Sequence, residues 1–233
     1  MFDRIKKVFS REAATGRTPG VSGLRLADGP MSEWAATQGF DFSADAAGHG
    51  VALEGKVRDK RWRMELGRPT RGFIRGKELS ARAQLGIDED LAVVVMSRPL
   101  KESLEKRAYE AYTDDLQTLV DASLPQEMRW LAMFDEIAWE SLPEEFWNRF
   151  TVLSDRRETA LAWIDPQLAR LMMDWPTPAP SADVPFMILL LRGKAYLRME
   201  YTPANMATLQ HAALIFTRAS ESALSAFPAG ATP

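Results

Sequence analysis

The chain has 233 residues, 46% of them hydrophobic and 26% charged, with a formal net charge of −3. This is the composition of an ordinary globular protein, long enough to bury about 70% of its unfolded surface, and the acidic balance speaks against a dedicated nucleic-acid binder, which needs excess cations to neutralise phosphates. The lack of cysteine removes disulfides, thiolate metal sites and cysteine nucleophiles, and His49 and His211, the two histidines, leave imidazole metal clusters and Ser-His-Asp chemistry little to draw on.

No apolar run approaches the roughly 20 residues that span a bilayer, and the N-terminus has no apolar core of a signal peptide, so the chain is expected in the cytoplasm. Residues 1–11 place Phe2, Ile5, Val8 and Phe9 on one helical face, away from Arg4, Lys7 and Arg11. Weak peripheral membrane contact through Phe2, Ile5 and Phe9 is one reading. A short helix packed on its own domain is the other, and is favoured because so short an anchor holds poorly. Residues 12–32, rich in Gly, Thr, Pro and Ala, are expected to be an irregular linker that completes a first segment, 1–32.

Residues 33–100 are expected to form a β-rich half, with strand pattern from Trp34 onward. In the hairpin Val51–Leu66, Val51, Leu53 and Val57 share a face with Trp62, Met64 and Leu66, while Glu54, Lys56, Arg61, Arg63 and Glu65 point the other way. Phe73–Leu79 and Leu91–Met96 are further strand candidates, and Ser80–Leu85 fits a short helix or continued strand. Residues 101–145 are expected to be a helical connector: Leu104, Ala108, Tyr112, Leu116 and Leu119 recur at helical spacing over 101–122. The echo Ser123-Leu-Pro-Gln-Glu and Ser141-Leu-Pro-Glu-Glu predicts two helices, each with serine as N-cap and proline in the first turn.

Residues 146–228 are expected to form an α+β half, followed by a loose tail at 229–233. Phe146–Leu153 fits a strand. Asp155 and Asp165 are expected to cap the next two helices, the second having Pro166 at its first position and ending near Asp174. Trp175-Pro-Thr-Pro-Ala-Pro180 must be extended loop. A second hairpin, Phe186–Tyr201, has a first strand apolar on both faces, which predicts a central position. Thr202-Pro203 is expected to open a final helix with Met206, Leu209, Ala213, Phe216 and Leu224 inward.

The two hairpins share Arg-Met-Glu on their second strands, at Arg63–Glu65 and Arg198–Glu200. Each half then presents a hairpin followed by a long amphipathic helix. The fold class is therefore α+β, with antiparallel sheet built from hairpins and amphipathic helices packed on one side, and with two similar halves as one possible organisation. The alternation puts both methionines in the core and the charged neighbours on the opposite face.

Chemistry is less legible. Between Lys56 and Arg82 stand ten basic residues against three acids, and Gly67–Lys77 is a glycine-spaced basic loop whose amides and guanidiniums suit an anion. Arg63, Arg68, Arg71, Arg75 and Lys77 are the anion-binding candidates. Trp62 and Phe73 nearby allow stacking, and with Trp175, beside the proline-rich loop, they are the interface candidates. Residues 100–149 carry twelve acids against five bases, so the basic stretch can instead be balanced internally or across a dimer. No nucleophile lies beside an evident base, and no catalytic residue, cofactor or metal ligand is assigned.

The expected function is accordingly a non-catalytic cytoplasmic subunit that binds a protein partner or itself. Anion or nucleic-acid binding through Lys56–Arg82 is the alternative, nucleic acid not being favoured. An enzyme of unrecognised type comes third.

Overall fold

The structure is a computed structural model, and it describes residues 22–44, 50–114 and 125–228. The basic segment 1–11, His49, the end of the helix expected at 101–122, the Ser123 cap and the tail at 229–233 lie outside these residues. In chain order the elements are α1 (Ser22–Gln38), β1 (Asp41–Ala44), β2 (Val51–Val57), β3 (Lys60–Gly67), β4 (Glu78–Gln84) and β5 (Ala92–Ser97), then α2 (Arg98–Asp114), α3 (Gln126–Met133), β6 (Asp135–Glu136) and α4 (Glu144–Arg149). They are followed by β7 (Phe150–Ser154), α5 (Arg157–Trp163), α6 (Pro166–Met173), β8 (Phe186–Leu191), β9 (Lys194–Glu200) and α7 (Met206–Ala226).

All described strands join one antiparallel sheet in the order β1-β2-β3-β4-β9-β8-β5-β7-β6, which makes the protein α+β. The two Arg-Met-Glu strands, β3 and β9, flank β4, so the first hairpin meets the second across the β4–β9 pairing of Leu79 with Met199 and Ala81 with Leu197. Leu53 lies opposite Met64 and Glu54 opposite Arg63, as the alternation requires. Gly55 is fixed by packing: a Cβ there would come within 2.6 Å of Trp62 Cζ2 and 2.9 Å of Phe40 Cδ1. Both hairpins turn on an arginine with positive φ, Arg58 (54°) and Arg192 (51°). Arg58 is tethered by Nη2 to Ser225 Oγ (2.6 Å) and by Nη1 to the Leu224 carbonyl, at the end of α7.

One face of the sheet is covered from end to end. Leu53, Trp62, Met64, Leu79, Leu197, Met199, Ile188, Val93 and Val152 pack there against α1, α5, α6 and α7. Trp163 on α5 donates Nε1–H to the Ala219 carbonyl of α7 (2.9 Å), and Ser222 Oγ returns a bond to the Trp163 carbonyl (2.6 Å). The opposite face is covered over β8, β5 and β7, where α2 and α3 bring Leu100, Leu104 and Trp130 onto Met187, Leu189, Val94, Met96 and Leu153. The expected helical layer thus has a smaller counterpart on the second face. Strand β8, apolar on both sides, holds the central position its sequence predicts.

Local expectations fail where tertiary contacts outbid local rules. Ser22–Gln38 is helix although Pro30 lies inside it, where an irregular linker and then strand were expected. Met31 and Ala35 bury one face of that helix, and Trp34 meets Phe40 edge-on, which in turn meets Trp62. Residues 73–77 are loop, and the strand starts at Glu78 and runs through the stretch that fitted either helix or strand. Residues 144–149 are helix, with the strand beginning at Phe150.

Ser141 does not cap α4, because extended Pro143 occupies the N-cap position and pushes the serine out of reach. Asp155 does not cap α5 either, since Arg156 takes that position while Ser154 Oγ bonds the Ala92 carbonyl at 2.6 Å. Asp165 caps α6 as expected, accepting from Leu168 N at 2.7 Å and pairing with Arg218. The final helix begins at Met206, three residues beyond Pro203, where Asn205 accepts from Thr208 N at 2.8 Å.

Candidate functional site

Follow one row of side chains across the second face of the sheet. Glu54, Arg63, Arg82 and Tyr196 are neighbours on β2, β3, β4 and β9; the same row continues as Leu189, Val94 and Leu153 on β8, β5 and β7. The next row reads Ala52, Glu65, Ser80, Arg198, then Met187 and Met96. Both rows change from polar to apolar at the β9–β8 boundary, where α2 and α3 begin to cover the sheet. Among the described residues no helix covers the polar half; the Gly67–Lys77 loop closes over its Glu78–Arg198 edge, and the remainder is the candidate functional surface.

Two hollows mark this open half. The larger, about 700 Å³, is lined by Ser43, Gly50, Ala52, Arg63, Glu65, Arg68, Thr70, Glu78 and Ser80 among others. The smaller, about 330 Å³, is lined by Glu54, Arg61, Arg63, Arg82, Gln84, Lys194 and Tyr196 together with Trp62 and Ala83. Arg63 stands between them. Its Nε donates to Glu65 at 2.7 Å and its Nη1 pairs with Glu54, and these two carboxylates hold its pKa above the ordinary arginine value.

The glycine-spaced loop Gly67–Lys77 is built differently from the sequence expectation of an anion cradle. Its amides are turned to the chain's own carboxylates. Glu78, only 2% exposed, accepts from Thr70 N (2.5 Å), Thr70 Oγ1 (2.8 Å) and Arg198 Nη1 (2.5 Å), and Glu200 accepts from Arg75 N (2.9 Å). Arg71 donates Nε to the buried Glu127 of α3 at 2.6 Å, so one cation of the basic stretch meets an acid of the 100–149 segment. Arg68, Arg75 and Lys77 are exposed and form no ion pair among the described residues.

The interface candidates turn inward to different degrees. Trp62 is 2% exposed and belongs to the core, because its strand alternation aims it at Phe216 and Phe40. Phe73 is half-buried against the α2–α3 cluster. Trp175 donates Nε1–H to the Met172 carbonyl (3.0 Å) and packs against Phe186 and His211, while His211 bonds the Leu171 carbonyl (2.7 Å).

The sequence singled out Arg63 and Arg68 on this face, counted Arg82 only as part of the basic stretch, put Arg198 on the charged face of its strand without a role, and did not single out Lys194 or Tyr196. Alternation along β9 already put Lys194, Tyr196 and Arg198 on one face, but which strand would lie beside β9 is invisible to it. No group of three or more His, Cys, Asp or Glu with metal-ligand geometry occurs among the described residues. No helix among them is long and apolar enough to cross a membrane. Comparison with known families, with curated proteins and with solved structures finds no match.

Proposed function

We propose that the protein is a non-catalytic binding subunit whose open half-sheet docks a protein partner with a net acidic contact surface. The observation that carries this reading is the polar face of β2, β3, β4 and β9, which no helix covers among the described residues, beside a half of the same face that is sealed by α2 and α3. A sheet face that needs no partner is normally solvated with evenly balanced charge. Here Arg61, Arg68, Arg82 and Lys194 form no ion pair among the described residues, so the face is short of acids. A protein surface fits better than a polyphosphate strand, because the Arg63 pairs with Glu54 and Glu65 divide the cations of the face into separate patches, which discrete acidic side chains can match and an unbroken run of phosphates cannot.

The test places a bulky side chain on the face without touching the core. Ser80→Trp and the exposed Gln84→Trp are compared with the wild type in affinity capture from the source cells. Each protein recovered is then purified and titrated against all three by calorimetry, with thermal melting to verify folding. A partner whose binding weakens at least about tenfold on both substitutions supports the docking face, that being the size of one interface hot spot. If every recovered protein binds the variants as it binds the wild type, the docking face is wrong.

A further inference from the structure

The smaller hollow has an imbalance that the fold does not explain. Arg82 lies directly beside Arg63 on β3 and directly beside Tyr196 on β9, and Gln84 lies beside Lys194. Like charges placed opposite each other on adjacent strands repel, and such a pair weakens a sheet unless something offsets it. Arg63 is offset by Glu54 and Glu65. Arg61, Arg82 and Lys194 are not: among the described residues none makes an ion pair, and the one acid lining the hollow, Glu54, is already engaged by Arg63. Glu89 packs beside Gly193 at the same end of the sheet and reaches none of these cations. Three uncompensated cations therefore converge on about 330 Å³ beside a tyrosine and a glutamine side chain.

We propose that this hollow is the anchor for carboxylates of an acidic segment in the partner protein, with Arg61, Arg82 and Lys194 as the anion contacts and Gln84 as a hydrogen-bond donor. The inference rests on the docking reading above and names the point of recognition within that face. Guanidinium groups suit the task because each offers paired donors to a carboxylate. An acidic segment offsets the repulsion between Arg82 and Arg63 on binding, so affinity falls as salt screens the contact.

The probe is a fluorescently labelled oligoglutamate peptide, followed by anisotropy with the full chain at low salt and at physiological salt. Labelled oligolysine and single-stranded oligothymidylate are run in parallel. Oligoglutamate is expected to bind the wild type and to weaken about tenfold in the double variant Arg82→Gln/Lys194→Gln, roughly the loss of two modest charge contacts. Arg170→Gln, which removes an exposed cation from α6 on the other side of the sheet, is expected to leave the affinity unchanged.

Absence of oligoglutamate binding at low salt overturns the proposal, as does an equal loss in Arg170→Gln. Tighter binding of oligothymidylate than of oligoglutamate, through the same residues, overturns it in favour of a nucleic-acid surface. The partner recovered above separates this proposal from the one beneath it. If that partner binds the Arg82→Gln/Lys194→Gln variant unchanged but is lost with Ser80→Trp, the anchor is wrong and the docking face stands.

Discussion

Glu78 shows how much one side chain decides. It starts β4, is 2% exposed, and gathers an amide, a hydroxyl and the Arg198 guanidinium. It therefore closes the Gly67–Lys77 loop onto the sheet and ties β4 to β9 by a side-chain bond. A buried carboxylate without these donors would carry a large desolvation cost, and with them it becomes a clamp. Glu78→Gln keeps the shape and one acceptor but removes the charge, so unfolding stability is expected to fall by about 2 kcal/mol, the scale of a charge-assisted hydrogen bond. Urea denaturation measures this as a lower midpoint at an unchanged slope. A midpoint within experimental scatter of the wild type would mean the clamp contributes nothing. In the sequence Glu78 is one of three acids in a basic stretch, and only its burial singles it out.

Elements are where local grammar was tested hardest. Asp165-Pro166 behaves as the sequence says, because N-cap acceptor and first-turn proline lie within three residues of the groups they serve. The Ser141 cap fails because proline's fixed φ moves the helix start, and α1 forms across Pro30 because its buried face reaches the aromatic cluster of Phe40 and Trp62. The joint between β5 and α2 is held by an ion-pair network that local rules do not foresee. Glu136 on β6 accepts from Lys101 Nζ (2.9 Å) and Arg98 Nη2 (3.2 Å), and Lys101 also reaches Glu105 (2.9 Å).

Partial burial works against the Glu136 charge, yet Lys101 and Arg98 outweigh it and hold the pKa below its ordinary value of 4.5. A carboxylate depressed in the folded state stabilises the fold above its unfolded pKa and loses that contribution as pH falls through the folded value. The stability difference between wild type and Glu136→Gln is therefore expected to be constant near neutrality and to shrink as pH drops below about 4.5. Urea midpoints of both proteins from pH 7 downward measure it, and a gap that persists undiminished into strong acid would contradict the ion-pair account.

At the scale of the whole molecule, the β4–β9 seam is the feature that matters most. The two hairpins that looked like markers of separate halves pair with the same strand, and the apolar cluster runs without a break from Leu53 through Leu79 and Leu197 to Val152. One cooperative unit is expected, so far-UV circular dichroism and tryptophan fluorescence should give superimposable unfolding curves. Separate midpoints would show that the hairpin halves melt independently.

Alternation alone determined which residues of each strand face the core, that β8 is central, and that the methionines of both Arg-Met-Glu motifs are buried while their arginines share an outer face. Those properties follow from the two-residue period of a strand and need no partner to be known. The order of the strands depended on long-range packing, and with it went everything functional. Arg82 acquires its meaning from lying between Arg63 and Tyr196, and Lys194 from lying beside Gln84, and the pairings with Tyr196 and Lys194 join residues more than a hundred positions apart. The basic loop at Gly67–Lys77, the most suggestive stretch of the sequence, is largely occupied with the chain's own carboxylates. Arg61, Arg82 and Lys194, which form no ion pair among the described residues, come together on the sheet beside it, because charge density along a chain records composition, whereas the pairing of charges is decided only when strands from distant segments meet.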